Sequence, residues 1–407
     1  MMPRSSPGNI IVGLDIGTTK ICVVVGEVVN RELEFRGVSM SPSTGLRKGV
    51  VVDIEATVDS IKNALQKVEE TTGVEIHAVN IGISGGHIKG FNSYGAVGVR
   101  GREVTHVDIA RAIDSAKAVY VPLDREVLHV IPTGYILDGQ NGIRDPIGMA
   151  GVRLEAHVYI ITGAVTSVQN LLKCCRRAGV EVIDVIFEPL ASAEAILTED
   201  EKELGVAVVD IGGGTTDIGI YKDGWLRHSS VLAVGGNHFT NDVAVGLRVS
   251  VTEAERIKRT FGSARITMDD DLEEIDIVQA GQSRTILRRH LTEIIQPRTE
   301  ELLGLVQKEL LACGGYDIAA TGVVLTGGGS LLQGIERMAE ASLALPVRIG
   351  LPIGIAGCHE VSGNPMYATG AGLVLYGFQA DSGNGAYSDS LTGVFGKMRD
   401  WVTGIFR

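Results

Sequence analysis

Residues 206–224 read "VAVVDIGGGTTDIGIYKDG", and the fold turns on what this stretch does after its glycines. A β-branched apolar run ends at Asp210, Gly212, Gly213 and Gly214 follow, and Thr215 and Thr216 lead into a second alternating run. β-Branched residues on both sides predict two strands, so the chain returns as a hairpin. A dinucleotide-binding turn instead opens a helix, which makes a Rossmann oxidoreductase a poor reading. The pattern GxxxxGK[ST] is absent, so this is not a Walker-type NTPase.

The pattern occurs a second time about 195 residues earlier, in "NIIVGLDIGTTKICVVVGE" at residues 9–27. There Asp15 ends the first strand, and Gly17, Thr18, Thr19 and Lys20 make the turn. Either stretch alone reads equally well as a tight hairpin with a capping Asp. Two of them in one chain predict related domains, each offering a hairpin to a shared cleft. Glycines in such a turn let backbone N–H groups approach a phosphate, and the Thr hydroxyls add donors. An Asp at the strand end, Asp15 or Asp210, suits a magnesium ion held through its waters.

Two further stretches fit a nucleotide pocket. "GVVLTGGGSLLQGIERMAE" (322–340) predicts a strand, a turn at Gly327, Gly328 and Gly329 that lies flat against a base or ribose, and a helix. "TEAERIKRTFG" (252–262) predicts a helix with Glu255 and Lys258 on one face. That pair suits ribose hydroxyls, or is an ordinary i,i+3 salt bridge on a solvated face.

Composition narrows the classes. At 407 residues the chain has room for two to four subdomains. The net charge of −12 argues against a broad nucleic-acid surface. The five cysteines lack CxxC spacing and read as reduced core residues of a cytoplasmic protein. The nine histidines form no HxxxH or HExxH pair, so a protein-built metal site is not expected. The N-terminal stretch lacks the apolar region of a signal peptide, and no apolar window is long enough to span a bilayer.

Taken together, "DIGTTK", "DIGGGTTD", "VVLTGGGSLLQG" and "ERIK" resemble the first phosphate, second phosphate, adenosine and ribose-contacting motifs of the actin/DnaK-type ATPase superfamily. "FEPLASAEAIL" (187–197) and "NPMYATGAGLVLYG" (364–377) resemble its two connecting helices, and the order matches over nearly the whole chain. Residues 85–160 decide the branch. They contain a Thr105-capped helix pattern and the run "HVIPTGYILDGQNGIRDPIGMAGVRLEA", which resembles the inserted subdomain of the FtsA family of bacterial cell-division proteins. Periodicity alone reads that run only as a small α+β unit with Gly/Pro turns.

The resemblance implies an α/β, actin-like ATPase fold, with two duplicated large subdomains around a nucleotide cleft. Residues 1–84, 161–195 and 362–379 would form the first large subdomain and residues 85–160 the inserted α+β subdomain. Residues 196–235 and 306–361 would form the second large subdomain. Residues 236–305 would form a smaller helical one, with a long helix pattern from 284 to 310 interrupted at Pro297. It also implies ATP and Mg2+ as cofactors, with Asp15 and Asp210 holding Mg2+ through water. Gly17, Thr18, Thr19, Gly212, Gly213, Gly214, Thr215 and Thr216 would cradle phosphates, with Lys20 reaching the β/γ oxygens. Gly327, Gly328 and Gly329 would pack the base, and Glu255 and Lys258 would hold ribose. Glu188 and Asp217 would stand near an attacking water, with turnover at most slow; switching by nucleotide occupancy requires no fast hydrolysis. The implied partners are the C-terminal peptide of the tubulin-like protein FtsZ, further copies of the chain in a polymer, and other division proteins. For the acidic peptide, Arg284, Arg288 and Arg289 supply positive charge, or simply form a solvated face.

The last residues carry an independent signal. Leu391, Val394, Phe395, Met398, Trp401, Val402, Ile405 and Phe406 form one stripe at helical spacing. Lys397, Arg399 and Arg407 against Asp400 give the segment a net charge of +2, opposite to the body. Residues 380–390, rich in Gly, Ser, Asn and Asp, read as a flexible linker before it. The segment (391–407) fits an amphipathic helix lying in the interface of a bilayer. Docking back on the core and binding a partner remain the other readings. Gly393, Gly396 and Gly404 weaken the helix, so one tail binds weakly and several on one polymer bind well.

The function expected is that of an ATP-binding, actin-like division protein. It would polymerise, tether the FtsZ ring to the cytoplasmic face of the cell membrane at the division site, and recruit the division machinery. The rivals are a pilus-assembly relative with a different peptide partner, and a chaperone-like or sugar-kinase ATPase of the same fold. About 28 residues follow Gln379, too few for a chaperone substrate domain.

Overall fold

Both hairpins sit inside five-stranded sheets, and the two sheets are topological copies. The structure, a computed structural model, describes residues 10–267, 273–279 and 281–382. In the first sheet the strand order is Glu181–Phe187, Ala78–Ile83, Ile10–Ile16, Lys20–Val29, Glu32–Pro42. In the second it is Val347–Ile349, Val323–Thr326, Val206–Ile211, Thr216–Lys222, Trp225–Leu232. Each central strand pairs antiparallel with its hairpin partner and parallel with its other neighbour. Both central strands are buried almost throughout, which explains their continuous apolar runs.

Parallel neighbours need crossover connections, and the copies differ there. In the second sheet, a short 3-10 turn Gly328–Leu331 and helix Ile335–Leu343 join the last two parallel strands. The equivalent crossover of the first sheet carries the insertion ahead of its helix Val165–Ala178. The insertion is an antiparallel sheet in the order Lys89–Gly98, Arg153–Ala164, Arg125–Leu137, Gln140–Ile143. Helix His106–Lys117 covers it, capped by Thr105 in a reciprocal box with Asp108. A Cβ on Gly95 would fall 2.2 Å from Ala116 N, so only glycine lets the helix lie this close to the strand. Strand Arg153–Ala164 runs without a break from the insertion into the first large half.

The connecting helices are Glu188–Ile196 and Ala368–Ser382. Their small residues permit backbone contact. A Cβ on Gly372 would fall 1.8 Å from the Ala191 carbonyl oxygen, and one on Gly13 would fall 2.5 Å from that of Gly370.

Three expectations are corrected. Residues 236–305 are not purely helical: beside helices Gly236–Leu247 and Val251–Phe261 they hold a hairpin, Glu274–Gln279 with Gln282–Leu287. Ile275 and Ile277 alternate into the core, the period of a strand, and Arg284 therefore lies on a strand. Pro297 does not interrupt the following helix, which runs from Arg288 to Ala312. Proline removes one helical hydrogen bond, and burial of Leu291, Ile295, Leu302, Leu303 and Val306 along one side holds the helix through it. The last helix reaches Ser382, so the expected linker does not begin at residue 380. The amphipathic segment 391–407 lies outside the described residues. Among those described, no helix is long and apolar enough to cross a membrane.

Candidate functional site

The two turns close in the same way. Gly17 N donates to Lys20 O at 3.0 Å, and Gly212 N donates to Thr215 O at 2.9 Å. In register, Asp15 stands opposite Cys22 and Asp210 opposite Asp217. The duplication therefore places Asp15 and Asp210 as counterparts, while a thiol in one copy is a carboxylate in the other. The turns also face and touch each other. A Cβ on Gly213 would fall 2.4 Å from Thr19 Cγ2, and one on Gly214 would fall 2.6 Å from Thr18 Oγ1. Glycine is thus needed at 213 and 214 for the cleft to close this far.

The carboxylates expected from the sequence meet behind the turns. Lys20 Nζ lies 2.6 Å from Asp15 Oδ2, so this lysine is bound to the neighbouring strand of its own hairpin. Burial pulls the Lys20 pKa down, but Asp15 offsets this and leaves it raised. Asp210 Oδ2 accepts from Ser192 Oγ at 2.7 Å and from Thr369 Oγ1 at 3.1 Å, one hydroxyl from each connecting helix. Asp217 accepts from Thr215 Oγ1 at 3.3 Å and from Ser84 Oγ of the opposite half. Glu188 opens its helix with its Cγ 3.0 Å from where a Gly82 Cβ would lie.

Burial raises the pKa of Glu188, Asp217 and Asp210. Mutual repulsion adds to this, Asp15 acting on all three. One lysine among four acids, three buried and Glu188 half-buried, leaves the locus short of positive charge. Among the described residues, no three His, Cys, Asp or Glu side chains stand close enough to hold a metal ion by themselves. The donor set is hard oxygen throughout, which suits a cation that keeps its waters.

The Glu255–Lys258 pair adjoins the second turn. Lys258 Nζ bonds Glu255 Oε2 at 2.6 Å, Thr240 Oγ1 at 2.9 Å and Gly236 O at 3.1 Å. Gly236 N in turn donates to Gly212 O at 2.9 Å, and Asn237 N to Gly213 O at 2.8 Å. The pair is both an i,i+3 salt bridge and a neighbour of the turn. Of the triple glycine, two residues are needed for backbone approach: a Cβ on Gly327 would fall 2.2 Å from Asp210 Oδ1, and one on Gly329 would fall 2.2 Å from Ile211 Cγ2. Gly328 meets nothing nearer than Met366 Cγ at 3.8 Å.

The three arginines do not act as one helix face. Arg284 reaches Gln279 across the hairpin at 3.1 Å, and Arg289 pairs with Glu293 at 2.9 Å. Arg288 is engaged by the body, through Glu273 at 2.7 Å and Phe261 O at 2.9 Å. Sequence reasoning missed Ser84, Ser192, Thr369, Gly235 and Gly236. The double glycines in "ISGGH" and "VGGNH" were the available signal for Ser84 and for the 235–236 loop. The hydroxyls of Ser192 and Thr369 carry none.

The paired sheets, facing hairpins and two crossing helices define an actin-like ATPase fold. Solved structures share it at low identity. One is the PilM-PilN type IV pilus biogenesis complex, with 18% identity, 92% of this chain and 99% of that chain covered, and a TM-score of 0.67. Another is MreB5 of Spiroplasma citri bound to ADP, with 17% identity, 93% and 99% covered, and a TM-score of 0.59. Within that class the sequence is more specific. Residues 207–372 match the cell division protein FtsA family, and residues 85–162 match the SHS2 domain inserted in FtsA. Cell division protein FtsA of Pseudomonas aeruginosa is 45% identical with both chains covered fully, and that of Escherichia coli is 39% identical with 92% of each covered. The chain belongs to the FtsA family of cell-division proteins.

Proposed function

We propose that this protein binds ATP with Mg2+ between its two hairpins and, as a polymer, ties the FtsZ ring to the cytoplasmic face of the cell membrane. The observation that carries the nucleotide reading is the pair of touching Gly–Thr turns backed by Asp15, Asp210, Asp217 and Glu188. Gly17, Thr18, Thr19 and Gly212 through Thr216 would hold the phosphates between the two turns. Lys20 exchanges Asp15 for a phosphate oxygen. Asp15 and Asp210 hold the waters of the cation, which supplies the positive charge the acids lack. Glu255 and Lys258 take the ribose, and the 327–329 turn lies along the base, with Gly328 as its open face. Glu188, whose pKa burial and the neighbouring acids raise, would stand with Asp217 near the attacking water, and a bound cation would favour its ionised, basic form.

Family membership supports the division role, the FtsZ peptide, self-association and recruitment of other division proteins. On the peptide face, Arg284, Arg288 and Arg289 are the candidate contacts. The apolar stripe from Leu391 to Phe406 supports peripheral attachment to the membrane. Two measurements test the whole. Asp210→Ala should abolish Mg2+-dependent ATP binding; unchanged binding sinks the nucleotide site. Full chain should float with anionic liposomes while a chain ending at Ala380 stays in the pellet fraction; equal flotation sinks the tether.

A further inference from the structure

The insertion grips both walls of the cleft through single buried side chains. His129, on strand Arg125–Leu137, is 3% exposed, and its Nε2 accepts from Phe187 N at 3.0 Å. Phe187 ends the edge strand of the first sheet and precedes Glu188 directly. The helix that Glu188 opens has no side-chain cap of its own, so the imidazole supplies the partner at its entry. Burial lowers the His129 pKa to about 4, so the ring is neutral at physiological pH and Nε2 stays an acceptor.

The second grip is Tyr159, on strand Arg153–Ala164 and 1% exposed. Its hydroxyl accepts from Ser229 N at 2.9 Å and lies 3.1 Å from Ser229 Oγ. Ser229 lies on the strand that pairs with the Asp217 strand, opposite Gly219. Room for the Tyr159 ring comes from Gly90, whose added Cβ would fall 2.0 Å from the hydroxyl. A third contact, Arg227 to Thr133 O at 2.8 Å, joins the Ser229 strand to strand Arg125–Leu137 of the insertion. Glu188 and Asp217, close enough for one charge to act on the other, thus each adjoin a strand held by the insertion.

We propose that His129 and Tyr159 are positioning residues that couple the insertion to the cleft: the spacing of Glu188 and Asp217 moves with the insertion, and whatever binds the insertion alters nucleotide affinity in return. This rests on the reading that the cleft takes nucleotide. Coupling of two sites through a shared two-state element is reciprocal, so it is readable from either side.

The test uses the full chain as parent, His129→Leu, His129→Gln, Tyr159→Phe and the Leu/Phe double variant. Hydrogen exchange is followed in peptides covering 106–117, 125–137, 181–190 and 225–232, with and without Mg-ATP. Without nucleotide, Tyr159→Phe should speed exchange at 181–190, and His129→Leu at 225–232, each on the wall opposite the broken contact. With Mg-ATP, the parent's insertion should change its exchange and the double variant's should not. Gln, which carries an acceptor near the position of Nε2, should restore the parent response. Strictly local changes without nucleotide, or a full insertion response in the double variant, overturn the coupling. A parent that binds no ATP counts against the nucleotide reading alone, and the nucleotide-free comparison still decides the coupling.

Discussion

Ser84 donates a hydrogen bond to Asp217 although the two residues stand on different halves of the cleft, 133 positions apart. The bond places a neutral donor on an acid whose pKa is pushed up to about 7 by burial first, and then by repulsion from Asp210 and Asp15. It ties the first half's 84–86 loop to the second half's hairpin. Ser84→Ala should lower the unfolding free energy by about 1–3 kcal/mol. Urea unfolding of Ser84→Ala, Asp217→Asn and the double variant checks this. Additive losses would show that the pair contributes nothing as a pair.

Glu188 makes a prediction in pH. Burial, then Asp15, Asp217 and Asp210, raise its pKa well above the usual carboxylate range. The folded protein holds this proton more tightly than the unfolded chain does. Its contribution to stability is therefore present in acid and is lost as pH rises from the ordinary glutamate value toward the folded one. Glu188→Gln should be more stable than the parent at pH 8 and close to it at pH 5, without nucleotide. An equal difference at both pH values would contradict the raised pKa.

Two glycines in helices should respond oppositely to alanine. Gly304 lies exposed in Arg288–Ala312 with nothing within 4 Å of an added Cβ. Gly304→Ala should stabilise by about 0.5–1 kcal/mol through helix propensity. At Gly372 the same methyl meets the Ala191 carbonyl, and the helices must separate. Gly372→Ala should destabilise by at least about 2 kcal/mol. Thermal melts of the two variants read both signs, and a shift of the same sign in both would refute the packing.

Lys258 tests the ribose role. Its ammonium sits beside Glu255 and the 236 carbonyl, not on the carboxylate cluster. Lys258→Met should weaken ATP binding by about tenfold, near the worth of one charged hydrogen bond, and leave tripolyphosphate binding unchanged. Equal weakening of both ligands would move Lys258 to the phosphates.

Much of the site was legible because its motifs are local. The Asp–Gly–Thr turns, the triple glycine and the Glu255–Lys258 spacing each lie within a dozen residues, where strand period, helix period and glycine placement set the backbone directly. The same local logic misread residues 284–287. Arg284, Thr285, Ile286 and Leu287 fit the start of a helix pattern as well as an edge hairpin, and Ile275 and Ile277, which settle the matter, are on the partner strand. Pro297 was overweighted because propensity carries no knowledge of the buried face holding the helix together.

By itself, the sequence determined two related sheets, the hairpin ends at Asp15 and Asp210, the insertion and the family. The tertiary structure decided who meets whom. Ser192 and Thr369 converging on Asp210, Ser84 crossing to Asp217, and His129 reaching Phe187 all depend on how separately folded layers pack. A short window of sequence fixes a backbone period, because that period is a property of neighbouring residues. Partners more than a hundred positions apart are fixed only when sheets and helices bury their faces together, and that burial brought the four acids around one lysine.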